Sequence, residues 1–315
     1  MKVFVTGAGM LGCHTARELA KAGHSVHIYD LSPDPAYVAA IAGKRRVTTV
    51  RGDLLDLPNL MRALAQAKPA VLVHTAGLIG GQVENPPYRG FHTNTVGSVN
   101  VFEACQLAGI KRLVHVSTFG VYDWANIRKG PVTEDAPRWG NRFYPSTKVA
   151  NEVMLDAYEN YYGMECVRIR PSGVYGPGHY RGGSGGGIAM NHLVRACVGE
   201  GPVVLEKRHV GPNDFIYATD VGRGIALACT AKDAPGKAFN IAVGTNYGPK
   251  DFVKALRNLL PGREIALAEG ADQGKGRPRV DLSAARSILG YEPEYTLEKG
   301  LADYMEVVRR HGFWH

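Results

Sequence analysis

The sequence predicts an α/β fold built on a parallel, doubly wound sheet. A glycine-rich turn sits between the first apolar strand and the first helical run, an aspartate closes the second strand, and strand and helix then alternate at a steady pitch to about residue 116. In such sheets the ligand lies at the carboxyl ends of the strands.

Taken in order, residues 2–6 read as a short buried strand, followed at once by Gly7-Ala-Gly9-Met10-Leu11-Gly12. A helical pattern runs to about Ala22 and stops at Gly23, and residues 25–29 form a second strand ending in Asp30. A G-x-G-x-x-G alone is weak evidence; between strand and helix, with an acidic residue at the end of the next strand, it is specific for a dinucleotide. The glycines permit a tight turn and close approach of backbone to pyrophosphate, whose charge meets the helix N-terminus beside Met10 and Leu11. Asp30 would accept hydrogen bonds from both ribose hydroxyls and repel a 2′-phosphate, which favours NAD over NADP. Residues 46–50 are the third strand, leading to Gly52-Asp53-Leu54, where Asp53 is placed to meet the adenine amino group. A helix over 59–66 precedes a strand over 70–74, which opens into Thr75-Ala76-Gly77, small residues that admit the cofactor, with Leu78 next on the substrate side. His74 is assigned to packing rather than chemistry. A helix over about 94–108 leads to a strand over 112–116 and then to Ser117-Thr118-Phe119, where a hydroxyl reaches the same crevice.

Tyr144-Pro-Ser-Thr-Lys148 begins the next helix, expected to run to about residue 162. Positions four apart share a helix face, so phenol and ammonium point into one cleft. A phenol is a poor base at neutral pH, and a nearby cation lowers its pKa. Such a pair can take a proton from an alcohol while hydride leaves the same carbon.

Composition excludes several alternatives. The chain has 315 residues, 45% hydrophobic and 21% charged, as in ordinary globular proteins, and is long enough for one large domain or two smaller ones. It contains no apolar run of about 18 residues, so neither a membrane span nor a secretory signal is expected. Five widely spaced cysteines, an odd number, read as reduced core residues of a cytoplasmic protein, without zinc spacing. The net charge of +8 comes from scattered basic pairs, which argues against nucleic acid and suits an anionic small molecule.

Together these residues resemble the extended short-chain dehydrogenase/reductase family, which includes NAD-dependent sugar epimerases and dehydratases. The resemblance spans nearly the whole chain. It rests on the glycine loop, Asp30, Gly52-Asp53-Leu54, Asn94-x-x-Gly97-Ser98, Ser117-Thr118, Pro131-Val-Thr-Glu134, Tyr144 with Lys148, Arg170-Pro171-Ser-Gly173-Val-Tyr-Gly-Pro177, and Asp214 to Asp220. It implies that Tyr144 is the general base or acid, that Lys148 binds the nicotinamide ribose and lowers the tyrosine pKa, and that Thr118 is the catalytic hydroxyl, with Ser117 beside it. Asn94 would tie the cofactor side to its helix, and Ser117 and Pro171 would line the cofactor. A homodimer formed through the helices over 94–108 and 144–162 is also implied.

Departures from the family pattern carry information too. The glycine loop is one residue shorter than usual. The acidic residue that sugar dehydratases carry just after the catalytic hydroxyl is replaced by Phe119 and Gly120, which removes the acid and base for elimination. Gly173 and Asn213 stand where nucleotide-sugar enzymes often carry asparagine and arginine.

The NAD-binding part is expected over 1–170, with 211–245 returning to it, and a smaller interleaved substrate domain over 171–315. Leu78, Thr118, Phe119, Gly173 and Arg181 are the substrate candidates, with Lys207, Arg208, His209, Arg277 and Arg279 as further anion-binding candidates. Residues 176–187 read as a glycine-rich loop, either a lid or plain surface; 190–198 reads as a helix, with 203–205 and 239–243 as strands. No cluster supports a metal. Three functions remain: a dehydrogenase acting on a sugar, sugar acid or polyol, slightly preferred; a nucleotide-sugar epimerase with tightly held NAD; and a dinucleotide-binding regulator without turnover.

Overall fold

The order of elements along the chain shows where a ligand crevice opens. The chain starts with β1 (Lys2–Thr6), α1 (Met10–Lys21), β2 (Ser25–Asp30), α2 (Pro35–Ile41), β3 (Val47–Arg51), α3 (Leu57–Ala67) and β4 (Val71–His74). Two short helices, α4 (Gly81–Glu84) and α5 (Pro87–Phe91), and a π-helical turn (His92–Val96) lead into α6 (Gly97–Leu107) and β5 (Arg112–Val116). A 3₁₀ turn (Phe119–Val121) precedes α7 (Phe143–Tyr162), β6 (Glu165–Pro171), β7 (Gly173–Tyr175), α8 (Gly185–Val198), β8 (Val203–Leu205) and β9 (Phe215–Tyr217). The chain closes with α9 (Ala218–Ala228), β10 (Lys237–Ile241), α10 (Pro249–Leu259), β11 (Ile265–Leu267), a π-helical turn (Ala285–Leu289) and α11 (Leu297–His311). This computed structural model describes residues 1–178, 184–207, 212–271 and 276–312.

Seven strands form one parallel sheet in the order β10-β6-β5-β4-β1-β2-β3. The chain leaves β1 toward β2 and β3, then returns to place β4 on the other side of β1. That reversal between β1 and β4 is the switch point at which such sheets bind ligands. One face of the sheet packs α1 and α9 through Val5, Cys13, Ala16, Ile225 and Ile241; the other packs α3, α6 and α7 through Leu60, Leu64, Phe102, Cys105 and Leu155. A second core joins α8, α10 and α11 to β8 and β9 through Met190, Leu193, Phe252, Leu256, Leu301 and Met305.

Local signals explain several boundaries. The Asp56 carboxylate accepts from the Asn59 amide (3.0 Å) and caps α3, with proline in its first turn. Gly163, at φ +64°, ends α7. The helix expected over 190–198 starts earlier, at Gly185, because the Ser184 hydroxyl accepts from the Gly187 amide (3.1 Å) and caps it. The glycines expected to form a loop thus include a helical first turn. Packing of Met190, Leu193 and Val194 outweighs poor glycine propensity. The helix expected from 94 begins as a π-helical turn at His92, and the strand expected over 239–243 lies at Lys237–Ile241.

β6 was not anticipated as a strand at all. Arg168 and Arg170 interrupt its apolar run, yet both are only 3% exposed. They are admitted to the core by carboxylates: Arg168 pairs with Asp156 and Glu159 (2.6 Å each), and Arg170 with Glu152. All five cysteines are free and buried, and burial raises each thiol's pKa. Among the described residues no helix is long and apolar enough to cross a membrane.

Candidate active site

The turn after β1 is shaped by contacts that only glycine tolerates at two positions. A side chain at Gly7, which sits at φ +95°, would meet the Thr75 hydroxyl at 2.8 Å and the Ala76 amide nitrogen at 2.9 Å. One at Gly12 would be driven into the Gly7 carbonyl oxygen. Gly9, by contrast, faces open space, and α1 starts there without a side-chain cap. The first amides of α1 therefore lack a side-chain acceptor beside an open cradle, which is what a pyrophosphate needs. The residues present fit a dinucleotide. Asp30 accepts from the Ala8 and Ser32 amides (2.8 Å each), so its carboxylate holds the glycine turn in place at the end of β2.

Other cofactor candidates gather along the same strand ends. Asp53 accepts from the Leu55 amide (2.9 Å), and Leu54 is buried beneath it. The Thr75 hydroxyl donates to the Thr6 carbonyl (2.7 Å), locking β4 to β1. Asn94 is 1% exposed; its carboxamide accepts from the Leu78 amide (2.7 Å) and donates to the Leu78 carbonyl (2.9 Å). Both its groups are committed to the Leu78 backbone, so it shapes the crevice floor. A side chain on Gly77 would touch that carboxamide at 3.1 Å and approach the Lys148 ammonium at 3.9 Å. Met10 is buried and Leu11 half-buried at the start of α1, and Pro171 ends β6 against Ile241.

The catalytic candidates come from β5 and α7. Thr118 is 9% exposed, and its hydroxyl oxygen accepts from the Gly120 amide (3.0 Å), leaving its proton free to donate. Ser117 lies deeper, at 2%, beside the Glu152 carboxylate, whose charge it favours without a hydrogen bond of standard geometry. The Lys148 ammonium, buried, donates to the Val116 carbonyl (2.8 Å). Burial lowers its pKa to about 8, and Glu152, one turn along α7, opposes that shift. Tyr144 is half-buried, and burial raises its phenol pKa. This departs from the expected lowering by Lys148. Loss of water around the phenol outweighs the attraction of an ammonium aimed at a backbone carbonyl.

Two polar networks behind these residues were not anticipated. Glu152 is fully buried and receives Arg170 through two bonds (3.0 and 2.7 Å) and Arg138 through one (3.1 Å). Burial alone would raise its pKa, but the guanidinium bonds prevail and keep it low. Arg170 also donates to the Tyr122 hydroxyl and the Glu134 carbonyl, while the Glu134 carboxylate accepts from the Asn240 amide. The four-residue step from Lys148 to Glu152 is the sequence signal that points to this group. The second network links Thr6, His74, Ser98 and Asn151: His74 Nδ1 lies 2.6 Å from the Thr6 hydroxyl and Nε2 lies 2.8 Å from the Ser98 hydroxyl, which also accepts from Asn151. His74 packs on His115, and burial lowers its pKa to about 3.

On the substrate side, Gly173 pairs with Phe215, and the Asn213 carboxamide fills the space into which any side chain at 173 would emerge. Phe119 is half-buried over an edge-on contact with Trp124, whose indole donates to the Phe119 carbonyl (2.9 Å). Arg277 stacks on both rings. Lys207 and Arg279 are exposed, whereas Arg181, Arg208 and His209 lie outside the described residues.

The profile of the NAD dependent epimerase/dehydratase family matches residues 3–242. A UDP-glucose 4-epimerase of Mycolicibacterium smegmatis is 29% identical over 315 residues, covering 98% of this chain and 99% of that protein. The structure of MoeE5 in complex with UDP-glucose and NAD superposes with a TM-score of 0.79 at 28% identity, covering 98% and 99% of the two chains. A UDP-glucose 4-epimerase of Thermotoga maritima shares the fold, with a TM-score of 0.82 at 23% identity over 98% and 99% of the chains.

Proposed function

This chain belongs to the NAD-dependent epimerase/dehydratase family, and we propose that it inverts a secondary alcohol of a nucleotide-bound sugar, at the C4 carbon, by transient oxidation. Bound NAD would accept and return the hydride. The chain's own residues supply positioning and proton transfer. Thr118 donates a hydrogen bond to the substrate oxygen, Tyr144 takes the hydroxyl proton and later returns it, and Lys148 holds positive charge beside the phenol. The amides of Met10, Leu11 and Gly12 receive the pyrophosphate, Asp30 the ribose and Asp53 the adenine edge, with Thr75, Ala76, Gly77, Ser117 and Pro171 lining the site and Leu78, Phe119 and Gly173 facing the substrate. Residues 1–170 together with 211–245 form the cofactor part, and the rest of 171–315 forms the substrate part.

The observation that carries this reading is the pairing of Thr118, Tyr144 and Lys148 on the crevice with the non-ionisable Phe119 and Gly120 next in sequence. Hydride and proton can leave and return, but no group there is placed to expel water. Similarity over its full length to a UDP-glucose 4-epimerase supports inversion over net oxidation. It reverses the slight preference for a dehydrogenase drawn from sequence. Net oxidation stays the second reading because Gly173 and Asn213 lack the asparagine and arginine that grip diphosphates. One experiment separates them. Purified protein with NAD is offered UDP-glucose, UDP-glucuronic acid and free sugars while NADH absorbance and product stereochemistry are followed. An inverted sugar without accumulating NADH is expected; stoichiometric NADH release would establish the dehydrogenase instead.

We also propose a homodimer. Leu107 on α6 and Val153, Met154 and Tyr161 on α7 are 57%, 52%, 37% and 85% exposed, an apolar strip that a second copy would cover. Sedimentation should give twice the monomer mass, and Met154→Glu should shift it to monomer. A cytoplasmic location is the matching expectation for a protein with five free thiols.

A further inference from the structure

Beneath the crevice floor lies a run of polar side chains that the proposed chemistry does not use. Thr6, His74, Asn94, Ser98 and Asn151 come from β1, β4, the first π-helical turn, α6 and α7, and none is more than 1% exposed. Proton counting fixes the direction of the bonds among them. The Ser98 hydroxyl lies 2.5 Å from the Asn94 carbonyl oxygen, so its proton sits between those two oxygens. Ser98 can then only accept, from the Asn151 carboxamide at 2.9 Å and from His74 Nε2 at 2.8 Å. His74 is therefore the Nε2–H tautomer, and its Nδ1 accepts from the Thr6 hydroxyl at 2.6 Å.

These bonds converge on Asn94. Its backbone carbonyl accepts from Ser98 and, at 2.8 Å, from Asn151. It sits in a π-helical turn whose Gly97 amide reaches back to the His92 carbonyl, and such insertions recur at functional sites. The Asn94 side chain grips the Leu78 amide and carbonyl and lies 3.4 Å from the Thr147 hydroxyl. Through this one residue, Asn151 holds the loop at Leu78 against the helix that carries Lys148, three positions before it. A methyl group at Gly77 would meet the Asn94 carboxamide at 3.1 Å and the Lys148 ammonium at 3.9 Å, so that loop runs directly beside the ammonium.

Stability alone does not call for a carboxamide at this place. Asn151 is fully buried, and no donor among the described residues reaches its Oδ1. An apolar side chain of the same shape would avoid that desolvation cost. What the carboxamide adds is direction, because its N–H donors fix where Asn94, and so Leu78, stands.

We propose that Asn151 is a positioning residue that, through Asn94, sets the Leu78 loop against Tyr144 and Lys148 and so places the substrate carbon at the reaction centre. The inference rests on the reading of those two residues as that centre.

The test compares the NAD-saturated parent with Asn151→Leu, Ser98→Ala and Ser98→Thr. With UDP-glucose as the probe, Asn151→Leu and Ser98→Ala should each lower kcat about 10- to 100-fold with KM little changed. Ser98→Thr, which keeps the hydroxyl, should stay close to the parent. Deuterium uptake gives a reading independent of turnover. At Leu78 and across 92–98 it should quicken about tenfold in Asn151→Leu and Ser98→Ala, with the rest of the sheet unchanged. Folded variants that keep parental kcat and parental uptake at Leu78 would make Asn151 a packing residue and overturn the proposal. Uptake that rises evenly along the chain would overturn it too, as would a Ser98→Thr protein as impaired as Ser98→Ala. If Asn151→Leu does not fold, Ser98→Ala decides. If the parent turns over no sugar, the reaction falls, and uptake at Leu78 by itself decides whether Asn151 holds the loop.

Discussion

The Lys148 ammonium donates to the Val116 carbonyl at 2.8 Å, joining α7 to the strand end that presents Ser117 and Thr118. One bond therefore sets the spacing between the two halves of the proposed catalytic group. It also buries the ammonium where it is easily deprotonated.

A pH dependence follows from that burial. With its pKa lowered to about 8, Lys148 is charged below that value and neutral above it. Support for the Tyr144 phenolate is lost as pH rises, so kcat should fall on the alkaline side of about 8. A pH–rate profile of the NAD-saturated enzyme checks this; activity flat to pH 10 would contradict it.

Tyr144→Phe removes the proposed proton acceptor while leaving the glycine turn and Asp30 untouched. Turnover should drop by about 10²- to 10⁴-fold, with NAD affinity within about threefold of the parent. Stopped-flow kinetics and calorimetry read the two quantities separately.

Gly12→Ala places a methyl group against the Gly7 carbonyl oxygen, which is backbone and cannot swing away. NAD binding should be lost and the melting temperature lowered, by about 1–3 kcal/mol of overpacking. Gly9→Ala, which meets open space in the protein alone, should fold normally and lose affinity only when NAD is added.

Glu152→Ala strands Arg170, which is 3% exposed, without its main carboxylate. Breaking a buried pair from one side costs about 3–5 kcal/mol, so denaturant midpoints should fall markedly. Lys148 should also lose a favourable charge, moving the alkaline limb of the rate profile to lower pH.

Acid should weaken the fold through His74. Its pKa is about 3 when folded and near the ordinary 6.5 when unfolded, so the unfolded chain binds the extra proton. Its stabilising contribution is complete above 6.5 and is lost as pH falls from there toward 3, at about 1.4 kcal/mol per pH unit. Equilibrium unfolding at pH 7 and pH 5 should show the decline, to which buried His14 and His115 add with the same sign, and His74→Gln should make it shallower.

Much of the architecture was legible in local sequence because its signals are local. Glycines at fixed offsets, an aspartate at a strand end and a tyrosine four residues before a lysine each depend on backbone geometry within one or two turns. They specified the parallel sheet, the glycine turn and the helix that carries Tyr144 and Lys148 without knowledge of the rest. Strand β6 escaped because Arg168 and Arg170 look like surface residues until Asp156, Glu159 and Glu152 neutralise them from α7. Helix α8 began earlier than expected because core packing outweighed its three glycines.

What tertiary structure alone decided is the state of the charges. Sequence placed Lys148 beside Tyr144, but only folding turned its ammonium onto Val116 and set burial against charge, so that the phenol's pKa rises in the protein alone. Sequence offered Asn151 as one polar residue among many, and only its meeting with Asn94 and Ser98 distinguished it. Periodicity and spacing encode backbone, whereas desolvation and pairing depend on neighbours far away in the chain, and those neighbours exist only once the chain has folded.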